Sequence, residues 1–193
     1  MTGINEAFKS VHRKDFLKSG DSRYAEIDAP IPIGYGQTNS QPSTVRQMLG
    51  WLDARDGQKV LDVGSGSGWT TALLSRLVGP SGHVYAVEIV PELVEFGRDN
   101  CRRVDVKNAE FHEAGSSYGL PQYAPYDRIL VSAAANSLPL EIIDQLVVGG
   151  KAVIPVMDDI LEVYKIDGKR FDIVKHPGYM FVPLMKPYRE SRD

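Results

Sequence analysis

One stretch limits what this chain can fold into more than any other: Val60-Leu61-Asp62-Val63-Gly64-Ser65-Gly66-Ser67-Gly68-Trp69-Thr70-Thr71-Ala72. A short apolar run ends in a carboxylate, three glycines follow at alternate positions, and apolar residues then recur at helical spacing until Gly79-Pro80. The pattern predicts a buried strand, a tight glycine turn and a helix. Such a turn brings bare backbone close to a ligand and points helix N–H groups at it.

The spacing narrows the ligand. A dinucleotide fingerprint needs its third glycine at position 69, which is Trp69; the glycine falls one residue early, at Gly68. A P-loop needs a lysine that is absent. Asp62 at the strand end repels a pyrophosphate but suits a cation. S-adenosylmethionine (SAM) carries a sulfonium and an ammonium and no phosphate. Asp-x-Gly-x-Gly-x-Gly after an apolar strand resembles motif I of the SAM-dependent methyltransferases, which implicates Asp62, Gly64, Ser65, Gly66 and Gly68 in cofactor binding. Glu88 ends a second predicted strand, 83–88, about twenty residues beyond the turn, where an acid can accept hydrogen bonds from ribose hydroxyls.

The rest of the chain alternates in the same way. Strands are expected near 109–113, 127–135 and 151–156, and helices at 45–52, 91–104 and 138–146, the last stopped at Gly149-Gly150. A hairpin is expected around Asp167-Gly168. This alternation predicts an α/β fold, a doubly wound, open, mostly parallel sheet of Rossmann-like type, whose ligands bind beyond the carboxyl ends of the strands. Residues 1–193 are expected to form one domain, with an amino-terminal helical segment at 1–26 led by Ile4, Ala7, Phe8 and Val11. Residues 27–42 contain too many prolines and glycines for a regular element, yet carry apolar, hydroxyl and amide side chains suited to a binding loop. Ser40 or Ser43 is also placed to cap the helix that follows.

That loop carries a narrower resemblance. Pro32-Ile33-Gly34-Tyr35-Gly36-Gln37-Thr38-Asn39-Ser40-Gln41-Pro42 resembles the loop of the protein-L-isoaspartate O-methyltransferases, Pro-Ile-Gly-x-Gly-Gln-Thr-Ile-Ser-Gln-Pro, with Asn39 in place of isoleucine. Tyr126-Asp127 through Ala134, Leu146 through Pro155 and Phe181-Val182-Pro183-Leu184 continue it, so the similarity spans about residues 28–184. It implies methyl transfer from SAM, leaving S-adenosyl-L-homocysteine, to the free carboxylate of isoaspartyl residues in damaged proteins. It further implies Ser40 as the catalytic hydrogen-bond donor, Thr38, Ser40, Phe181 and Val182 at the substrate, and Thr38, Asn39, Ser40, Ala114 and Gly115 at the cofactor. Ala114 stands where the family carries an acid; Asn136 and Met157 replace its proline and glycine. Three readings are compatible with these departures: an isoaspartyl repair enzyme, a methyltransferase of this fold with another acceptor, or a non-catalytic SAM-binding protein.

Net charge of −3 and scattered basic residues point away from nucleic acid. Cys101 is the only cysteine, so no intrachain disulfide forms. There is no signal-peptide pattern and no membrane-length apolar run. The expectation is a cytoplasmic monomer with no membrane partner and no metal.

Overall fold

The structure is a computed structural model that describes residues 3–186. The expected domain runs over 1–193; residues 1, 2 and 187–193 lie outside the described residues.

The apolar run at motif I becomes strand β3, and the sheet is built outward from it. The elements are α1 (Ile4–Ser10), β1 (Ile31–Gly34), β2 (Gln37–Asn39), α2 (Pro42–Leu52), β3 (Lys59–Val63), α3 (Trp69–Val78), β4 (His83–Glu88), α4 (Pro91–Arg103), β5 (Ala109–Glu113), β6 (Tyr126–Val131), α5 (Leu140–Ile143), β7 (Leu146–Val156), β8 (Asp159–Lys165) and β9 (Phe171–Pro177). A seven-stranded sheet has the order β5-β4-β3-β6-β7-β8-β9. The pairs from β5 to β7 are parallel, and β8 and β9 are antiparallel additions. The doubly wound, mostly parallel sheet expected from the alternation is present.

Period-two alternation sends β3 side chains to two separate cores. Val60 joins Leu73, Leu74, Val84 and Leu49 under helices α1 to α4. Leu61 and Val63 join Val87, Ile129, Val131 and Ile142 on the opposite face. Between β5 and β6 that second face is closed by residues 114–125 and their aromatic rings. Tyr85 and Tyr123 stack at 4.7 Å, and Tyr126 lies edge-on to Tyr85 at 5.9 Å. Helix α2 buries Val45, Met48, Leu49 and Leu52, one stripe at i, i+3, i+4 and i+7, and starts with Pro42 in its first turn.

Three expectations are corrected. Residues 31–39 are not irregular: β1 and β2 form an antiparallel hairpin, with Ile31 opposite Asn39. Pro32 is tolerated because this ribbon is a separate two-stranded sheet, in which both strands are edges, and Tyr35 and Gly36 at the tip both take positive φ (56° and 71°), the geometry of a tight hairpin turn. The cap of α2 is neither Ser40 nor the Ser43 hydroxyl; Asp28 Oδ1 accepts the Ser43 N–H at 2.9 Å. The helix expected over 138–146 shrinks to α5, and Gly149-Gly150 lie inside β7. There the register jumps from Tyr126 opposite Leu146 to Arg128 opposite Lys151. Residues 147–150 bulge, with Gly149 at φ 81° and a Cβ at Gly150 only 2.9 Å from the Val147 carbonyl.

Candidate active site

Parallel strands all point their carboxyl ends to one edge, so the loops that follow β3, β4, β5 and β6 are forced together there. They line one open cleft at that edge. The 37–40 segment of the hairpin forms one wall, and residues 182–185 another. The second wall is held by parallel bridges to the end of β6. Ala134 donates its N–H to the Val182 carbonyl at 2.8 Å, and Leu184 donates to the Ala134 carbonyl at 2.7 Å.

The glycine turn is shaped from below. Gly64, Gly66 and Gly68 all have positive φ (78°, 50° and 83°). Glu88, at the end of β4 and buried, clamps the turn to its own strand. Its Oε2 accepts the Gly66 N–H at 2.9 Å, while Oε1 accepts the N–H groups of Ile89 and Val90 at 2.8 and 3.1 Å. Asp62 sits deeper, with no exposed surface. Its Oδ2 accepts from the Thr70 and Thr71 hydroxyls at 2.8 and 2.7 Å. Burial pushes its pKa up to about 6; the two threonine hydroxyls oppose this and the nearby Glu88 charge adds to it.

Three polar atoms in this region are buried with no partner among the described residues: Asp62 Oδ1, Ser65 Oγ and Trp69 Nε1. Buried polar groups ordinarily find partners, so these orphans fit a polar ligand seated on the turn. Two carboxylates beside that seat make it a site for a cation, and the absence of a lysine or arginine among the lining residues makes it a poor one for phosphate. SAM, with its sulfonium, ammonium and ribose hydroxyls, meets both conditions.

Of the residues expected at the cofactor, Thr38, Asn39, Ser40, Gly64, Ser65, Gly66, Glu88 and Ala114 line the cleft. Asp62 lies behind them. Gly68 faces α4: a Cβ there would stand 2.8 Å from the Gly97 carbonyl and 3.2 Å from Cys101 Sγ. Gly115 is exposed and outside the lining. Of the residues expected at the substrate, Thr38, Ser40 and Val182 line the cleft, and Phe181 packs against the core under α1 to α4. Asn136 is exposed. Met157 occupies the β7–β8 turn at φ 53°, which explains why glycine suits that position.

Sequence reasoning missed Ser117, Tyr118, Ser132 and Trp69, all of which line the cleft. Ser117 and Tyr118 sit in the segment after β5, beside Ala114, where the expected acid is missing. The Ala114 N–H is committed to the Glu88 carbonyl at 2.8 Å, so Ser117 and Tyr118 bring the side-chain hydroxyls to that end of the cleft. The single thiol, Cys101, is buried against the Gly68 carbonyl, and burial pushes its pKa up to about 12, which suits packing and not nucleophilic chemistry.

A mostly parallel sheet, a glycine turn after its central strand, and an acid at the end of the neighbouring strand together define a class I SAM-dependent methyltransferase. Residues 2–189 match the protein-L-isoaspartate(D-aspartate) O-methyltransferase (PCMT) family, and the chain belongs to that family. It is 41% identical to the protein-L-isoaspartate O-methyltransferase of Pyrococcus horikoshii over 94% of this chain and 84% of the relative. It is 43% identical to that of Methanothrix thermoacetophila over 96% and 89%. The fold superimposes with a TM-score of 0.85 on a crystal structure described as the Plasmodium falciparum protein-L-isoaspartate O-methyltransferase in complex with S-adenosyl-L-homocysteine; the two are 25% identical, over 95% of this chain and 90% of that one.

Proposed function

We propose that this chain transfers the methyl group of SAM to the free α-carboxylate of isoaspartyl residues in damaged proteins, releasing S-adenosyl-L-homocysteine. The observation that carries the reading is the union of two features in one cleft: the Glu88-clamped glycine turn and the Thr38–Ser40 wall.

SAM supplies an electrophilic methyl on a positively charged sulfur. The acceptor carboxylate is already ionised at neutral pH, so no general base is required. Its oxygen forms the new C–O bond as the C–S bond breaks, and the electron pair leaves on sulfur as a neutral thioether. The protein's task is to hold oxygen, carbon and sulfur in line and to keep water out. Ser40 is the residue proposed to donate a hydrogen bond to the acceptor carboxylate, with Thr38 shaping the same end. Phe181 and Val182 are proposed to align the substrate main chain. Thr38, Ser40, Gly64, Ser65, Gly66, Glu88 and Ala114 are proposed to contact the cofactor, with Asn39, Asp62, Gly68 and Gly115 supporting the loop, the turn and the segment after β5. The methyl ester then closes to a succinimide, whose hydrolysis returns some normal aspartate.

The same reading takes residues 1–193 as one domain that acts as a cytoplasmic monomer without nucleic-acid, membrane or metal partners. The net charge of −3 speaks against a nucleic-acid partner, and among the described residues no helix is long and apolar enough to cross a membrane.

The test uses labelled SAM and two synthetic peptides that differ only in isoaspartate against aspartate at one position. Base-labile label is expected on the isoaspartyl peptide alone, and Ser40→Ala is expected to lower turnover. Label on neither peptide, with SAM still bound, refutes the assigned acceptor. Full turnover in Ser40→Ala refutes the role given to Ser40.

A further inference from the structure

We infer that Arg13 and Asn39 are positioning residues for this reaction, forming a buried lock that fixes the Ser40 loop to the cofactor turn. The inference rests on the role proposed for Ser40.

Arg13 opens a short 3-10 turn after α1 and is 6% exposed. Among the described residues, every hydrogen-bond partner it has is an oxygen of residues 25–40, and none is a carboxylate. Nη1 donates to the Ala25 and Ile27 carbonyls at 3.3 and 2.9 Å. Nη2 donates to the carbonyls of Ala29, Asn39 and Ser40 at 2.7, 3.1 and 3.0 Å. Nε donates to the Asn39 side-chain oxygen at 2.7 Å. The guanidinium also lies over the Trp69 ring, 5.5 Å from its centre. Burial pulls its pKa down, with Asp28 and Glu26 opposing, but an arginine stays protonated in proteins.

Arginine can only donate, so the Asn39 amide has one possible orientation: oxygen toward Arg13, nitrogen away. That nitrogen donates to Ser67 Oγ at 3.0 Å. Ser67 lies between Gly66, clamped by Glu88, and Gly68, which starts α3; its carbonyl accepts from Asn100 on α4 at 2.9 Å. Asn39 is 4% exposed and satisfied at both ends. One chain of bonds therefore runs from residues 25–29 through Arg13 and Asn39 to the turn. The same guanidinium holds the carbonyls on both sides of the Ser40 Cα, those of Asn39 and Ser40, which sets the direction of the Ser40 side chain. An isoleucine at position 39, the residue of the family pattern, can make neither bond. In-line transfer is sensitive to misplacement on the scale of an ångström, so this lock acts on the rate and not on the chemistry itself.

The test measures kcat and KM for the isoaspartyl peptide at saturating SAM, S-adenosyl-L-homocysteine affinity by calorimetry, and melting temperature. Asn39→Leu keeps the volume and removes both bonds. Asn39→Asp keeps an oxygen for Arg13 and lets the Ser67 hydroxyl donate to the other. Asn39→Leu is expected to lower kcat about tenfold while product affinity changes less than about threefold, and Asn39→Asp is expected to restore most of the rate. Because Asn39 acts through Ser40, the Asn39→Leu/Ser40→Ala double variant is expected to be no slower than Ser40→Ala alone. Ser67→Ala severs the lock at its far end without disturbing the guanidinium; it is expected to lower kcat in the same direction and decides the matter should Asn39→Leu not fold. Wild-type kcat in Asn39→Leu or in Ser67→Ala, with Ser40→Ala impaired, overturns the inference alone. So do multiplicative losses in the double variant, or an Asn39→Asp protein as slow as Asn39→Leu. Full turnover in Ser40→Ala overturns the role of Ser40 and the inference with it.

Discussion

Gly68 is the position where a single methyl group should do the most damage to the site without touching it. A Cβ added there meets the Gly97 carbonyl oxygen at 2.8 Å, the Gly97 Cα at 3.1 Å and Cys101 Sγ at 3.2 Å. Two of these are backbone of α4 and cannot rotate away. The φ of 83° adds a second cost, about 1–2 kcal/mol for a residue with a side chain. Overpacking against a helix backbone contributes about 1–3 kcal/mol. Gly68→Ala should therefore lose about 2–5 kcal/mol, which in a chain of this size lowers the melting temperature by about 4–20 °C. Gly97→Ala separates the two terms. Its Cβ meets the Gly66 carbonyl at 2.9 Å and a Phe111 ring carbon at 2.9 Å, but the residue is helical and bears only the packing cost. Gly20→Ala, with nothing within 4 Å and no positive φ, is the control. Urea and thermal unfolding with and without S-adenosyl-L-homocysteine measure all three. Gly68→Ala melting together with the wild type would refute the claim that this glycine is a contact between α3 and α4. Gly97→Ala proving as costly as Gly68→Ala would refute the separation into backbone and packing terms.

Two more predictions concern the carboxylates beneath the turn. Asp62 has its folded pKa raised from 3.8 to about 6, so the native state holds the extra proton. Its stabilising contribution is complete below pH 3.8 and is lost as pH rises through 6. At about 1.4 kcal/mol per pH unit the cost above that range is about 3 kcal/mol. Asp62→Asn should thus be more stable than the wild type at pH 8 and lose that advantage toward pH 4, as read by urea melts; a constant difference across the range would contradict the assignment. Glu88→Gln keeps the size but leaves one acceptor oxygen for two sets of N–H groups, those of Gly66 and of Ile89 and Val90. Calorimetry should find S-adenosyl-L-homocysteine bound about tenfold or more weakly, from one unpaired buried N–H; unchanged affinity would show that the clamp does not shape the site.

What could be read from the sequence was whatever depends on neighbours along the chain. The strand, turn and helix at 60–78 followed from an apolar run and three glycines, and the mostly parallel character of the sheet followed from the alternation of strands with helices. The hairpin at 31–39 did not, because Pro32 and Gly34 register as breakers until it is known that the two strands pair only with each other. Gly149-Gly150 registers as a helix stop for the same reason; only the slipped pairing with β6 reveals a bulge. Ser117 and Tyr118 carry no motif, and their place in the cleft is set by the turn after β5. The Arg13–Asn39 contact joins residues 26 positions apart, beyond the reach of any local pattern, although the polar residue at 39 in an otherwise apolar family position was a visible departure.

The carbonyl fan around Arg13 also governs how the molecule breathes. Five backbone carbonyls, at 25, 27, 29, 39 and 40, share one cation. Extracting the guanidinium frees all five together. Residues 13–40 should therefore open as one cooperative unit. Its amide protons should exchange with solvent at a common free energy instead of fraying from the hairpin tip inward.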